Sequence, residues 1–288
     1  MAATRRWQRL ICSCMLIFSG TVCANGAITP LFYHVSYQGK TAWVLGSFHV
    51  GKAEFYPLPT QIREAYARAG ALVLEVDVRD PSGIGLMRQY GMTPQTPDAE
   101  TRTVLNRYCA DKTYCEQFKG LSPWLQAMQF TLLRLTQQGY SANYGTETQL
   151  MQQLGQRPLL ALESYEQQFA MLASLELDAQ WAMVRDALSS PNSELDRLVN
   201  AWKSGDAATL QQISEEDLQQ PGGIDVIDKV LWQRNRVMAD GIARYLDSAE
   251  QPLFVAIGAA HLVGERSVLA LLQQAGATTL DCNAQQCP

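Results

Sequence analysis

Two distant segments of this chain carry the same pattern: Trp43-Val44-Leu45-Gly46-Ser47-Phe48-His49-Val50-Gly51 and Val255-Ala256-Ile257-Gly258-Ala259-Ala260-His261-Leu262-Val263-Gly264. Each is an apolar run that reads as a buried strand, broken by Gly-x-x-His and followed by further apolar sequence and a glycine. The chain has 3 histidines, and two of them occupy equivalent places. A buried strand that ends in glycine and delivers an imidazole just past its carboxyl end puts that side chain where open α/β sheets build their sites. Two such deliveries point to one shared centre.

The amino-terminal residues have a different character. Arg5, Arg6 and Arg9 precede an apolar stretch from Leu10 to Phe18, then Ser19-Gly20 and the small-residue pattern Val22-Cys23-Ala24. This is the layout of a secretory signal peptide cleaved after Ala24; the apolar stretch is short for a membrane anchor, and Val22 before Cys23 argues against a lipoprotein. Loss of the leader's three arginines would take the formal charge from -5 to -8. That acidic balance argues against nucleic acid or anionic lipid as partner, and no later segment is apolar enough to span a membrane. Residues 25–288 therefore read as a single exported unit, periplasmic or secreted, with no membrane association after cleavage. The 7 cysteines fall to Cys109, Cys115, Cys282 and Cys287 once the leader is gone. Four cysteines allow three pairings in an oxidising compartment, and close spacing favours Cys109 with Cys115 and Cys282 with Cys287.

Strand-like runs fall at Leu31–Ser36, Thr41–Gly46, Ala71–Asp77, Pro158–Glu163, Pro252–Gly258 and Thr278–Asp281, the first two forming a hairpin across Tyr37-Gln38-Gly39-Lys40. Helical periodicity marks Leu58–Ala69, Trp124–Gln138, Thr146–Leu154, Tyr165–Ala173, Ala179–Leu188, Ile224–Leu246 and Leu262–Ala275. Asp80–Pro97, rich in proline, glycine, threonine and aspartate, reads as a long loop, and Gln219–Gly223 as a hinge. The expected fold is α/β (α+β): a small mixed β-sheet with flanking helices and a helical insertion lobe over about residues 101–248. Gln149, Gln152, Gln153, Gln167 and Gln168 read as solvated helix faces.

Several side chains sit where burial demands a partner. Glu75, in Leu72-Val73-Leu74-Glu75-Val76-Asp77, is surrounded by aliphatic residues and needs a cation, a metal or hydrogen-bond donors; Asp77 is a spare carboxylate on the same face. Glu163 ends Leu159-Leu160-Ala161-Leu162-Glu163 in the same manner. Arg234 interrupts the stripe of Ile227, Val230, Leu231, Met238, Ile242 and Tyr245, so its guanidinium should meet a carboxylate, a substrate or a developing oxyanion. Asn235 lies beside it, off the stripe. His49 and His261 together with an acidic strand end suit a shared divalent ion, Zn, Mn, Fe or Co, with positions left for water. His34 reads as structural, and Ser47 as a turn residue or a donor behind the ligands. There is no His-Glu-x-x-His, Gly-x-Ser-x-Gly or Gly-x-x-x-x-Gly-Lys, so the usual zinc-protease, serine-hydrolase and nucleotide-binding patterns are missing.

In combination, Leu45-Gly46-Ser47-Phe48-His49-Val50-Gly51, Leu74-Glu75-Val76-Asp77, Asn143-Tyr144-Gly145, Leu162-Glu163 with Gln167, Gln233-Arg234-Asn235 and Ala256 to Gly264 resemble the TraB/GumN family, related to the Tiki metalloproteases that cleave secreted Wnt proteins. The resemblance spans nearly all of residues 25–288. It implies a divalent metal held by the two histidines and an acid equivalent to Glu75, a hydrolytic reaction, and no particular substrate. Gly145-Thr146-Glu147 departs from the aspartate the family carries there, which leaves Glu147 without an assigned role.

These observations converge on an exported metal-dependent hydrolase acting on a peptide or protein substrate. His49, Glu75 and His261 would hold the metal. Glu163 would be general base or a further ligand, and Arg234 would stabilise negative charge. The rival readings are a protein of the same fold that sequesters a peptide without turnover, and a structural metal site without activity. Metal identity and oligomeric state stay open.

Overall fold

Residues 28–219 and 222–288 are described by a computed structural model of the chain. The leader expected at residues 1–24 lies outside them, as does the middle of the expected hinge. All six expected strands form. β1 (Phe32–Tyr37) and β2 (Lys40–Ser47) make an antiparallel hairpin, with Phe32 opposite Leu45 and Tyr37 opposite Lys40. Both turn residues, Gln38 and Gly39, have positive φ (48° and 78°), as a two-residue hairpin turn with the right twist requires.

β3 (Ala71–Leu74), β4 (Leu159–Ala161), β5 (Leu253–Gly258) and β6 (Thr278–Asp281) complete a 6-stranded sheet of order β4-β3-β5-β2-β1-β6. β4, β3, β5 and β2 run parallel, while β1 is antiparallel to β2 and β6. The two Gly-x-x-His segments therefore pair directly, with Val44 beside Val255 and Ser47 beside Gly258. Val44, Leu45, Val255 and Ala256 are fully buried, which is why these strands read as continuous apolar runs and not as alternation.

The helices follow the strands closely in some places and not in others. α1 (Thr60–Arg68) packs on the sheet through Ile62 and Tyr66. The stretch expected to be a loop contains α2 (Ser82–Gly91), followed by α3 (Ala99–Cys109). Glycines weaken α2 as an isolated helix, but tertiary contact overrides them: Leu86 and Tyr90 pack with Trp124, Leu125 and Phe169. Those glycines are themselves needed there, since a Cβ on Gly83 would lie 2.9 Å from the Tyr165 ring and one on Gly91 2.5 Å from Leu125.

α4 (Pro123–Gln137), α5 (Thr146–Gln152), α6 (Tyr165–Ala173) and α7 (Leu177–Ser189) come next. α4 and α7 share a small core of their own, built on Phe130, Trp181 and Val184. α8 (Asn192–Ser204) and α9 (Ala207–Glu215) return to the main core through Trp202 and Leu210. The expected single helix over Ile224–Leu246 is divided into α10 (Gly223–Ile227), a π-helical turn (Asp228–Trp232) and α11 (Gln233–Ser248), whose Met238, Ile242 and Leu246 are buried against the sheet. A 3-10 turn, Ala259–Leu262, precedes α12 (Val268–Gln274), where one helix was expected.

Both expected disulfides are present, Cys109–Cys115 and Cys282–Cys287. Among the described residues no helix is long and apolar enough to cross a membrane.

Candidate active site

Four adjacent parallel strands end at one edge of the sheet, and each hands its next residues to a single cluster. Glu75 follows β3 directly. The chain after β4 stays paired to it, Leu162 N–H donating to the Leu74 carbonyl (3.0 Å) and Glu163 N–H to that of Glu75 (2.7 Å), so the two carboxylates emerge side by side. At the end of β5, Gly258 N–H donates to Glu75 Oε1 at 2.7 Å. A Cβ on Gly258 would stand 3.2 Å from that oxygen, which explains glycine at this strand end.

Arg234 clamps the two acids. Its Nη2 donates to Glu75 Oε2 (2.6 Å) and Glu163 Oε2 (2.8 Å), its Nε to both Glu163 oxygens (3.1 and 3.0 Å), and its Nη1 to the Val230 carbonyl (3.3 Å). Gln168 adds an Nε2 donor to Glu163 (3.0 Å) and Glu75 (3.3 Å). The expectation that Gln168 belongs to a solvated face is thereby corrected: it sits one helical turn past Ser164, whose capping box with Gln167 aims the first turn of α6 at the acids. Glu75 and Glu163 are both 9% exposed, so two buried carboxylates share one guanidinium and the cluster keeps a net negative charge. Burial pushes the Glu75 carboxyl up, but His261, Arg234, His49 and the Gly258 N–H outweigh it and hold the pKa at about 2.

The two imidazoles are anchored in the same sense. His261, 5% exposed, has Nδ1 2.5 Å from Asn235 Oδ1. Asn235 itself donates Nδ2–H to the Arg266 carbonyl at 2.7 Å, which fixes its amide and leaves Oδ1 as acceptor for the imidazole. The His261 proton is therefore on Nδ1. Its Nε2 lone pair, 3.8 Å from Glu75 Oε1, makes no hydrogen bond with a described residue. Burial pushes the His261 pKa down to about 4, so the ring is neutral at neutral pH. The charge that holds Glu75 ionised there comes from Arg234, with the Gly258 N–H and His49 assisting.

His49 has Nδ1 2.9 Å from Glu147 Oε1, which also accepts the Ser47 hydroxyl at 2.5 Å. Glu147 raises the His49 pKa above its ordinary value. The His49 side chain is 72% exposed, so solvent screens the pair and it adds little to stability. Glu147 reaches this position because residues 48–51 are zipped to 141–146: Thr146 N–H donates to the Phe48 carbonyl (3.0 Å) and Gly51 exchanges backbone bonds with Ser141. Two glycines permit the crossing, since a Cβ on Gly145 would lie 2.3 Å from the His49 carbonyl and one on Gly51 2.1 Å from that of Tyr144.

A cavity of about 210 Å³ at this edge is lined by His49, Glu75, Glu147, Thr148 and Gln168 and by the apolar Leu74, Val76 and Val78. Glu75, Glu163, Arg234 and His261 are thus joined, and His49 shares the cavity with Glu75. Among the described residues no three His, Cys, Asp or Glu side chains are gathered closely enough to hold an ion as they stand. The donor chemistry nonetheless fits a cation: both Nδ1 atoms are committed, His261 offers a free Nε2 lone pair, His49 Nε2 has no hydrogen-bond partner among the described residues and would yield the proton that Glu147 favours on that ring, and two acids share one guanidinium. Asp77 is turned away onto Arg79 (2.9 and 2.8 Å), and His34 packs against Trp43, with its pKa lowered by burial. Sequence reasoning gave Asn235 too little weight and left Glu147 unassigned; adjacency to Arg234, and a lone acid after Asn-Tyr-Gly, were the available signals.

The architecture is that of an open α/β sheet protein whose carboxyl edge carries a buried acid–guanidinium cluster flanked by two histidines. The chain belongs to the TraB/PrgY/gumN family, whose model matches residues 31–279. It is 27% identical over 245 residues to the uncharacterized protein YbaP of Escherichia coli (strain K12), covering 80% of this chain and 87% of that one, and equally to YbaP of Shigella flexneri. An uncharacterized protein of Treponema pallidum (strain Nichols) is 21% identical over 267 residues, covering 85% and 80%. No solved structure matches.

Proposed function

We propose that this protein is an exported, metal-dependent hydrolase that cleaves peptide bonds at the carboxyl edge of its sheet. One observation carries the reading: two imidazoles from equivalent Gly-x-x-His segments each commit Nδ1 to a side-chain oxygen and leave Nε2 without a hydrogen-bond partner among the described residues, His261 Nε2 lying 3.8 Å from Glu75 and His49 lining the same cavity as Glu75. His49, His261 and Glu75 would hold the ion, which would supply Lewis acidity and a water activated at neutral pH. Glu163 would accept the proton of the attacking water or serve as a further ligand. Arg234 helps hold Glu75 ionised and aligns it with Glu163. One Nη1 hydrogen has no acceptor among the described residues, and through it Arg234 would meet an oxyanion.

The apolar wall of Leu74, Val76 and Val78 supports an aliphatic side chain next to the scissile bond. Two disulfides support export to the periplasm or beyond the cell. That no three ligands are gathered among the described residues favours a second reading, a peptide-sequestering protein without turnover.

Metal analysis of protein purified without chelator, paired with cleavage of a peptide library under Mn, Co, Zn and Fe, separates the two. The hydrolase reading expects one divalent ion per chain, lost along with cleavage in His49→Ala and in His261→Ala. A folded protein that takes up none of these ions and cleaves nothing refutes it.

A further inference from the structure

The helical lobe contains a second cavity, about 590 Å³, that shares no lining residue with the site above. Its floor is aromatic. Phe130 and Trp181, 1% and 2% exposed, belong to the small core between α4 and α7, so the opening reaches that core itself. The Cys109–Cys115 disulfide forms part of the wall and ties α3 to the 3-10 turn Thr113–Phe118, whose Phe118 ring meets Phe130 edge-on at 5.0 Å. The wall is thus covalently fixed. A cavity of this size lies within the roughly 300–1,000 Å³ of small-molecule sites. The apolar lining still open to water belongs to the half-buried Leu105 and Phe118, and an apolar occupant that covers it recovers about 25 cal/mol per Å².

The polar groups on the wall define that occupant further. Arg102 meets no carboxylate among the described residues; its Nη2 donates only to the Pro97 carbonyl at 3.1 Å. Lys119 is paired with Glu116 at 2.7 Å. The rim therefore carries a surplus positive charge on a chain whose formal charge is -5. Gln126, 5% exposed, donates through Nε2 to the Leu121 carbonyl (2.9 Å), while its Oε1 takes no hydrogen bond from a described residue. Aromatic floor, free guanidinium and open acceptor call for a ring, an anion and an N–H donor.

We infer that this cavity binds a small aromatic carboxylate bearing an amide N–H, the chemistry shared by an N-acylated aromatic amino acid and by the aromatic carboxyl-terminal residue of a peptide. The ring lies on the half-buried Leu105 and Phe118, over Phe130 and Trp181, the carboxylate on Arg102, and the N–H on Gln126 Oε1. The assignment is independent of the reading of the sheet edge.

Isothermal titration of the oxidised full chain with N-acetyl-phenylalanine and with its carboxamide tests it. The acid should bind at least about tenfold more tightly, a difference of roughly 1.4 kcal/mol. Arg102→Gln should bring the acid to the level of the carboxamide and leave the carboxamide unchanged, and Ala110→Phe should block both. Arg102 and Ala110 are exposed, so both variants should fold, which circular dichroism checks. An Ala-Ala-Phe peptide with a free carboxyl group separates the sources: binding as tight as the acid assigns a peptide terminus, and at least about tenfold weaker binding assigns the free amino-acid derivative. Equal affinity for acid and carboxamide, an Arg102→Gln variant that binds like the parent, or no heat with either up to about 10 mM overturns the inference.

Discussion

Arg234 offers the sharpest test of the cluster, because its removal leaves two carboxylates of 9% exposure without a cation. Arg234→Met keeps most of the side chain's packing and deletes every donor. Breaking a buried pair from one side costs about 3–5 kcal/mol. Gly258 N–H on Glu75 and Gln168 on both acids remain, which places the expected loss near about 3 kcal/mol. Arg234→Lys keeps the charge, but an ammonium cannot reproduce a fork that spans Nε on Glu163 and Nη2 on Glu75, so about 2 kcal/mol should go, the worth of one charge-assisted hydrogen bond. The assay is urea unfolding of chelator-treated protein followed by tryptophan fluorescence and circular dichroism, with an unchanged m-value as the check on two-state comparison. In a Glu163→Gln background the Arg234→Met penalty should shrink, since one of the two charges it strands is already gone. A loss below about 1 kcal/mol for Arg234→Met, the worth of an exposed ion pair, would refute the claim that the two buried acids depend on a single guanidinium.

Asn235→Ala should release the His261 tautomer, visible as a change in its ring ¹⁵N shifts, and lower metal affinity about 10–100-fold, while Asn235→Asp, which keeps an acceptor, should restore the tautomer. Peptide mapping under non-reducing conditions should find Cys109 joined to Cys115 and Cys282 to Cys287; crossed pairs would contradict the structure. Asp98 caps α3, and the Thr101 backbone N–H, then its hydroxyl and Arg185, lower its pKa. A depressed folded-state pKa contributes stability above the unfolded value, near about 3.9, and loses it as pH falls through the lower folded value. Asp98→Ala should therefore cost about 1 kcal/mol at neutral pH and much less near about pH 2, and an equal penalty at both would contradict the cap.

The parts of this fold legible in the sequence were those where burial is total. β2 and β5 are covered on both faces, so their apolar runs and terminal glycines stood out, and Glu75 and Glu163 were conspicuous as charges in aliphatic company. Arg234 was found by the same logic, as a break in an apolar stripe. What stayed hidden depended on partners from elsewhere in the chain. Gln168 looks like its neighbouring glutamines until α6 is docked beside the acids. α2 reads as a loop because its glycines cost helix propensity, and only contact with Tyr165 and Leu125 shows why they are there. Glu147 gains a role only when residues 141–147 cross the segment that carries His49.

The π-helical turn Asp228–Trp232 makes the site a matter of chain length as much as of chemistry. It lies one residue before Arg234, and Arg266 stacks its guanidinium on Trp232 at 4.0 Å while offering its carbonyl to Asn235. Such a turn holds one residue more than an α-helical turn would, so it takes up that residue without rotating everything behind it. Wound as plain α-helix at its present length, the interval would swing Arg234 and Asn235 by about 100° relative to α10, carrying the guanidinium off the carboxylates and the amide off the imidazole together. Among relatives, a residue should be lost from that interval only together with the wide turn, and in any redesign of this scaffold the two are to be kept or removed as one.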